Sequence, residues 1–154
     1  QFDAVLSNFG PLNCVQDRRG LAAWLAPLLA EHATVCAVVM GPLCPWEWLW
    51  HGAHLDLRAA TRRLRGRVSA HTGGGGTVDV WYPSARRLRR EWSPWLKPVG
   101  TRGVGVLLPT SDAGHLVHRL PRAFGALAKL ERRIDATLPA TLFNDHYLAT
   151  FQRR

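Results

Sequence analysis

Long apolar runs are missing from the sequence. The longest stretches are cut by charge or proline well short of the ~20 residues that span a bilayer, so no membrane partner is expected. Cysteine is scarce. Cys14, Cys36 and Cys44 are odd in number and have no C-x-x-C spacing, which argues against a disulfide framework and against a zinc site. No metal is therefore expected, and a reducing cytoplasm is the expected location. Methionine occurs once, at Met40, and the chain opens Gln1-Phe2-Asp3. A fragment or a processed piece is expected from that opening. No basic stretch leads into an apolar core at the N-terminus, so a signal peptide is not indicated.

What is present has a globular profile. Of 154 residues, 47% are hydrophobic and 20% charged, a balance that disordered chains do not have. The length suits one domain with a moderate core. Net charge is +9, from 20 basic and 11 acidic residues. Such a balance can signal an anionic partner. Here the basic residues are almost all arginine and are spread along the chain. No basic run is interleaved with stacking aromatics as in single-strand binders. Nucleic acid is not the expected partner, although a basic nucleic-acid-binding domain stays open as an alternative.

Hydrophobic periodicity gives an alternation of strands and helices. Residues 2–8 (FDAVLSN) read as a buried strand ended by the breaker Gly10-Pro11. Asp17 stands where an N-cap would. Leu21, Trp24, Leu25, Leu28 and Leu29 form an apolar stripe, predicting a helix over 17–30. Residues 34–40 (TVCAVVM) are apolar on both faces, as in a parallel strand covered by helices. Strand, helix, strand is a βαβ unit. An aromatic and helical insertion follows over 44–77. It holds CPWEWLW, a basic helix over 55–67 and the loop Gly73–Gly76. Residues 78–82 alternate as a short strand would. Ser84 caps a helix over 84–93. A strand is predicted over 103–108 (GVGVLL), a helix over 114–134 and a closing strand over 146–152.

These residues resemble a known family. FDAVLSNFGPLNCV, the amphipathic helix after it and TVCAVVM look like strand four, its helix and strand five of class I S-adenosylmethionine-dependent methyltransferases. The helix opened by Tyr82-Pro83-Ser84, the strand through Gly103-Val104-Gly105-Val106 and the closing Asp145-His146-Tyr147-Leu148 look like the family's β-hairpin end. The resemblance implies the C-terminal part of a Rossmann-like α/β sheet, mostly parallel with one antiparallel strand, in the order 4-5-7-6. The family's glycine-rich turn and acidic strand end, which hold the cofactor ribose, have no counterpart here. Gly73–Gly76 neither follows a core strand nor opens a helix. Ala30-Glu31-His32-Ala33 stands where the family usually has Pro-Gly-Gly.

By that resemblance the function is methyl transfer from S-adenosylmethionine to a small-molecule acceptor, with the chain as given inactive alone. A non-catalytic methyltransferase-like module that pairs with another chain is the alternative. Ser7, Asn8, Phe9, Gly10 and Asn13, at the carboxyl end of a parallel strand, would flank the cofactor. The segment is not Asn-Pro-Pro-Tyr or Phe, which argues against amide and exocyclic amine acceptors. Trp46, Trp48, Trp50, Trp81 and Tyr82 would line an apolar acceptor pocket or pack as a cap. His51 and His54 are the candidate bases, needed only if the acceptor must lose a proton. Nothing cationic is fixed beside Cys44, so an inert thiol is expected. The strand over 2–8 would have one bare edge, and self-association through it is expected.

Overall fold

The computed structural model describes the backbone of residues 1–154 and every side chain except that of Asp112. In chain order the first elements are β1 (Phe2–Ser7), α1 (Arg18–Leu25), β2 (Leu29–Met40), α2 (Pro45–Ala53) and α3 (Leu57–Ala60). A hairpin of β3 (Arg67–His71) and β4 (Thr77–Trp81) follows. Then come α4 (Ala85–Trp92), β5 (Leu96–Val104), α5 (His115–Arg119), α6 (Pro121–Ile134), α7 (Leu138–Leu142) and β6 (His146–Arg153).

The main sheet runs β1-β2-β6-β5. β1 and β2 are parallel, and β6 is antiparallel to both of its neighbours. Three strands therefore point one way and β6 the other. The expected mixed α/β sheet is present.

One face of the sheet holds the core. Val35, Ala37 and Val39 of β2 alternate onto it with Tyr147, Ala149 and Phe151 of β6, as the two-residue period of a strand requires. Ala22 and Leu25 of α1 and Leu88 and Trp92 of α4 close over them. Asp17 caps α1, its Oδ1 accepting from Gly20 N–H at 2.8 Å, and Ser84 caps α4 by accepting from Arg87 N–H. Both caps stand where the sequence places them. Buried Arg18 joins the two helices, its Nε donating to Glu91 Oε2 at 2.9 Å.

Several predicted boundaries are displaced. α1 ends at Leu25, and a short 3-10 turn leads directly into β2 at Leu29. β2 thus starts before the predicted 34, although its regular pairing with β1 begins at Thr34, because Phe2 pairs with Leu29 and Ala4 already with Thr34. Residues 30–33 bulge out between those pairs. His32 takes the left-handed conformation there, at φ 61°, which glycine adopts at less cost.

The strand predicted over 103–108 lies instead over Leu96–Val104. Gly105 turns left-handed at φ 67°, and the apolar Val106–Leu108 leave the sheet. Their turn is held by Glu131, whose carboxylate accepts from the N–H groups of Gly105, Leu107 and Leu108. The helix predicted over 114–134 is broken into α5 and α6 at Leu120-Pro121. Proline pushes the residue before it out of the helical region, and Leu120 sits at φ −130°, ψ 55°. The basic helix predicted over 55–67 is only α3 and a 3-10 turn over Arg62–Arg65, bounded by positive φ at Leu55 and Gly66.

β1 pairs on one side with β2, and among the described residues no strand pairs its other side. Phe2 is 60% and Leu6 68% exposed, whereas Val5 packs against the core. A bare edge with apolar side chains and no proline recruits other strands. We therefore propose that the 154-residue chain self-associates through β1. Light scattering at micromolar concentration should give a mass above the monomer. Leu6→Lys should lower it, since a charge on the strand opposes pairing. A monodisperse wild-type monomer would rule the pairing out.

Candidate functional site

The carboxyl edge of the sheet gathers the polar chemistry. β1 ends at Ser7, and the chain reverses through Phe9 and Gly10, both left-handed at φ 44° and 100°. A non-glycine residue at such an angle is held there by its surroundings. The holding group is Asn13, fully buried in the 3-10 turn over Pro11–Cys14. Its Nδ2 donates to Met40 O at 3.1 Å and to Trp81 O at 2.7 Å. Its Oδ1 accepts from Met40 N–H at 2.9 Å. One side-chain amide thus fixes the end of β1 against the ends of β2 and β4. Asn13, expected to touch a cofactor, has both amide functions engaged in the fold.

Beside this turn lies a buried ionic chain. Glu47 on α2 is 1% exposed and accepts from Arg62 and from Arg63 Nη2, the latter at 2.9 Å. Arg63, 4% exposed, also donates to Asp145 Oδ1 at 2.6 Å and, through Nη1, to the carbonyls of Asp145 and Gly41. Its guanidinium lies over the Tyr82 ring at 5.5 Å, a favourable cation–π distance. Asp145 Oδ2 is 3.1 Å from His146 Nδ1, at the first residue of β6. The His146 ring meets Phe9 edge-on, with centroids 5.0 Å apart.

The electrostatics follow from this geometry. Burial pushes the Asp145 carboxyl up, but the His146 hydrogen bond and the Arg63 charge outweigh it and hold the group below its ordinary 3.8. Burial also opposes the charge on Arg63, and the hydrogen bond and charge of Glu47 more than restore it. Burial pushes the Cys44 thiol up to about 11, so Cys44, 3.9 Å from Asp145 Oδ1, is a protonated thiol at neutral pH.

The other predicted site residues are placed as follows. Ser7 is half-buried, and Asn8 and Phe9 are exposed on the rim of the turn. Gly10 has open space where a Cβ would stand. Trp46, Trp48 and Trp50 share α2 at two-residue spacing, and a two-residue step turns about 200° around a helix. Trp48 therefore lies opposite Trp46 and Trp50, which are four residues apart and share a face. Trp46 meets Phe124, Trp48 meets Phe143, and Trp50 meets His54 and His115. Trp46 also lines an open apolar groove of about 300 Å³ with Pro45, Leu49, Val106, Leu107 and Leu127. Trp81 supplies its carbonyl to Asn13, and Tyr82 covers Arg63. His54 is exposed, its Nδ1 2.7 Å from Trp50 O at the end of α2. His51 is half-buried in the last turn of α2.

Sequence reasoning overlooked the central group, Asp145-His146 with Arg63 and Glu47. One signal was legible. An acid directly before a histidine at a strand start supplies a carboxylate close to the ring, here with Oδ2 3.1 Å from Nδ1.

No protein-family model and no curated protein sequence matches the chain. Among solved structures, a crystal structure of an S-adenosylmethionine-dependent methyltransferase from Mesorhizobium loti is similar at a TM-score of 0.48 and 13% identity. The match covers 99% of this chain and 62% of that one.

Losing one partner of a buried ion pair leaves the other charge uncompensated, at about 3–5 kcal/mol. Arg63→Met should therefore lower unfolding free energy in urea by that amount. Arg62→Met should lower it less, because Arg62 is 39% exposed. Equal losses would contradict the assignment of Arg63 as the central cation. The depressed Asp145 carboxyl adds a pH dependence. Its stabilisation is complete above pH 3.8, its ordinary value, and is lost as pH falls through its lower folded-state value. Urea midpoints should fall less steeply on acidification in Asp145→Asn than in the wild type. Parallel acid limbs would refute the coupling.

Proposed function

We propose that the chain carries the acceptor side of an S-adenosylmethionine-dependent methyltransferase acting on a small molecule. The observation that supports this most is the order β1-β2-β6-β5 with only β6 reversed. It is the arrangement 4-5-7-6 that the family resemblance implies. Ligands of open α/β sheets bind beyond the carboxyl ends of the strands. That edge here carries the Ser7–Gly10 turn, with Asn8 and Phe9 exposed, and the Asp145–His146 pair.

The residues present fit part of such a cofactor. Gly10 leaves open space beside a fixed turn, and Ser7, Asn8 and Phe9 form its rim. No described residue joins a glycine-rich turn to an acidic strand end, the pair that would take the ribose. Strands pairing with the bare edge of β1 would supply that part. When bound, the cofactor supplies an already activated methyl group. The protein's work is then to hold the acceptor oriented and dry. In this reading the apolar groove beside Trp46 takes the acceptor's apolar part. It begins one residue beyond Gly105, whose carbonyl accepts from Asp145 N–H. The non-catalytic module stays as a second reading, favoured by the same bare edge.

Calorimetry separates the two. Residues 1–154 alone should bind S-adenosylmethionine too weakly to measure, and micromolar binding would overturn the division of the site. The protein extended by its own coding sequence ahead of Gln1 should bind it. Failure of the extended protein to bind would leave the non-catalytic module.

A further inference from the structure

His146 is the histidine whose ring faces both an aromatic side chain and a fixed carboxylate at the carboxyl edge. Strand alternation turns it to the face opposite Tyr147, whose hydroxyl is used internally, donating to Pro83 O at 3.0 Å. Asp145 Oδ2 stands at Nδ1. A carboxylate accepts and does not donate, so this contact favours the proton on Nδ1 and turns Nε2 away from Asp145 as the atom that can accept one. No hydrogen bond engages Nε2 among the described residues. Arg63 holds Asp145 through two separate atoms, the carboxylate Oδ1 and the backbone carbonyl, so the carboxylate cannot turn away. Phe9, 58% exposed, lies edge-on to the ring and offers an aromatic wall at the same place.

We propose that His146 is the proton acceptor of this site and that it serves a weakly acidic hydroxyl on a planar aromatic molecule, a phenol in the broad sense. The inference rests on the methyl-transfer reading for its reaction but not for its geometry. An acceptor that attacks through a neutral nitrogen or a thiolate needs no base, whereas a hydroxyl must lose its proton as it attacks. The acceptor's O–H proton passes to Nε2. The oxygen's electron pair forms the new C–O bond to the methyl carbon, and the electron pair of the breaking C–S bond stays on sulfur. Positive charge is lost at sulfur and reappears on the imidazolium, beside the Asp145 carboxylate that stabilises it. Water then takes the proton. Asp145 and Arg63 are positioning residues. The charged and titratable groups linked to His146 are Asp145, Arg63 behind it, and Glu47, Arg62 and Cys44 around Arg63.

The test needs no methyl donor. Nitrogen NMR of the imidazoles in the 154-residue chain should find His146 as the Nδ1–H tautomer, and Asp145→Asn should shift that balance. Added para-nitrophenol should perturb His146 and Phe9, and the bound probe should show more of the coloured phenolate than free probe at the same pH. His146→Gln should abolish that excess, while para-nitroanisole, which has no proton to give, should not perturb Nε2. An Nε2–H tautomer in the wild type, or probe-induced shifts that spare His146, would overturn the proposal. If the extended protein proves to methylate phenols, His146→Gln should lower turnover about 10²–10⁴-fold with unchanged calorimetric affinity for S-adenosylmethionine. Retained turnover would remove the base and leave the methyl-transfer reading standing. Failure of cofactor binding would remove that reading and leave the NMR result standing.

Discussion

Arg63 is the charge around which the carboxyl edge is built. A guanidinium at 4% exposure is costly to bury and stays only if its charge is paired and hydrogen-bonded. Here it is answered by Glu47 from α2, by Asp145 before β6, by the carbonyl that ends β2 and by the ring of Tyr82 after β4. These four partners come from separate parts of the chain. A planar five-donor group is the one side chain that can hold such a set together in fixed geometry. Lysine, a point charge on a flexible stem, would satisfy the charge without the directions.

The same requirement explains which parts were legible in the sequence. β2 and β6 read clearly because a core strand shows itself locally, as an apolar run between breakers; β1 has the same run, although as an edge strand it has no buried residue. The caps Asp17 and Ser84 read clearly because a capping bond spans three residues. β5 did not, because it is an edge strand. Pro98 falls at its register shift and Gly100 and Arg102 follow, a pattern that looks like loop, since edges tolerate proline and charge. The apolar run beside it has the pattern of a strand, and it leaves the sheet because Glu131, more than twenty residues away in sequence, captures its N–H groups. No local pattern announces a contact of that range.

Arg63 was hidden for a related reason. It stands among arginines at 58, 62, 65 and 67, and composition gives no mark to the one that is buried. Glu47 stood between tryptophans and was read as part of an aromatic stretch. The tryptophans have the composition of a pocket lining, but the two-residue spacing turns Trp48 away from the face that Trp46 and Trp50 share. The Asp145-His146 pair differs, because its two residues are neighbours in sequence, and Arg63 fixes the carboxylate whose other oxygen lies 3.1 Å from the ring.

The reversal of β6 gives that pair its location. Had β6 run parallel to β2, its first residues would lie at the amino edge, with the ends of β2 and β1 a strand length away. Because it is antiparallel, His146 pairs in register with Met40, the last residue of β2, and with Val104, the last of β5. The start of one strand thus meets the finish of its neighbours, and the turn after β1 reaches it through Phe9. A reversed strand within an otherwise parallel sheet is therefore a means of bringing residues from just before a strand to the edge where such sheets bind ligands. That placement depends on the strand order and on Asn13 holding the first turn, not on the surface charge that dominates the composition.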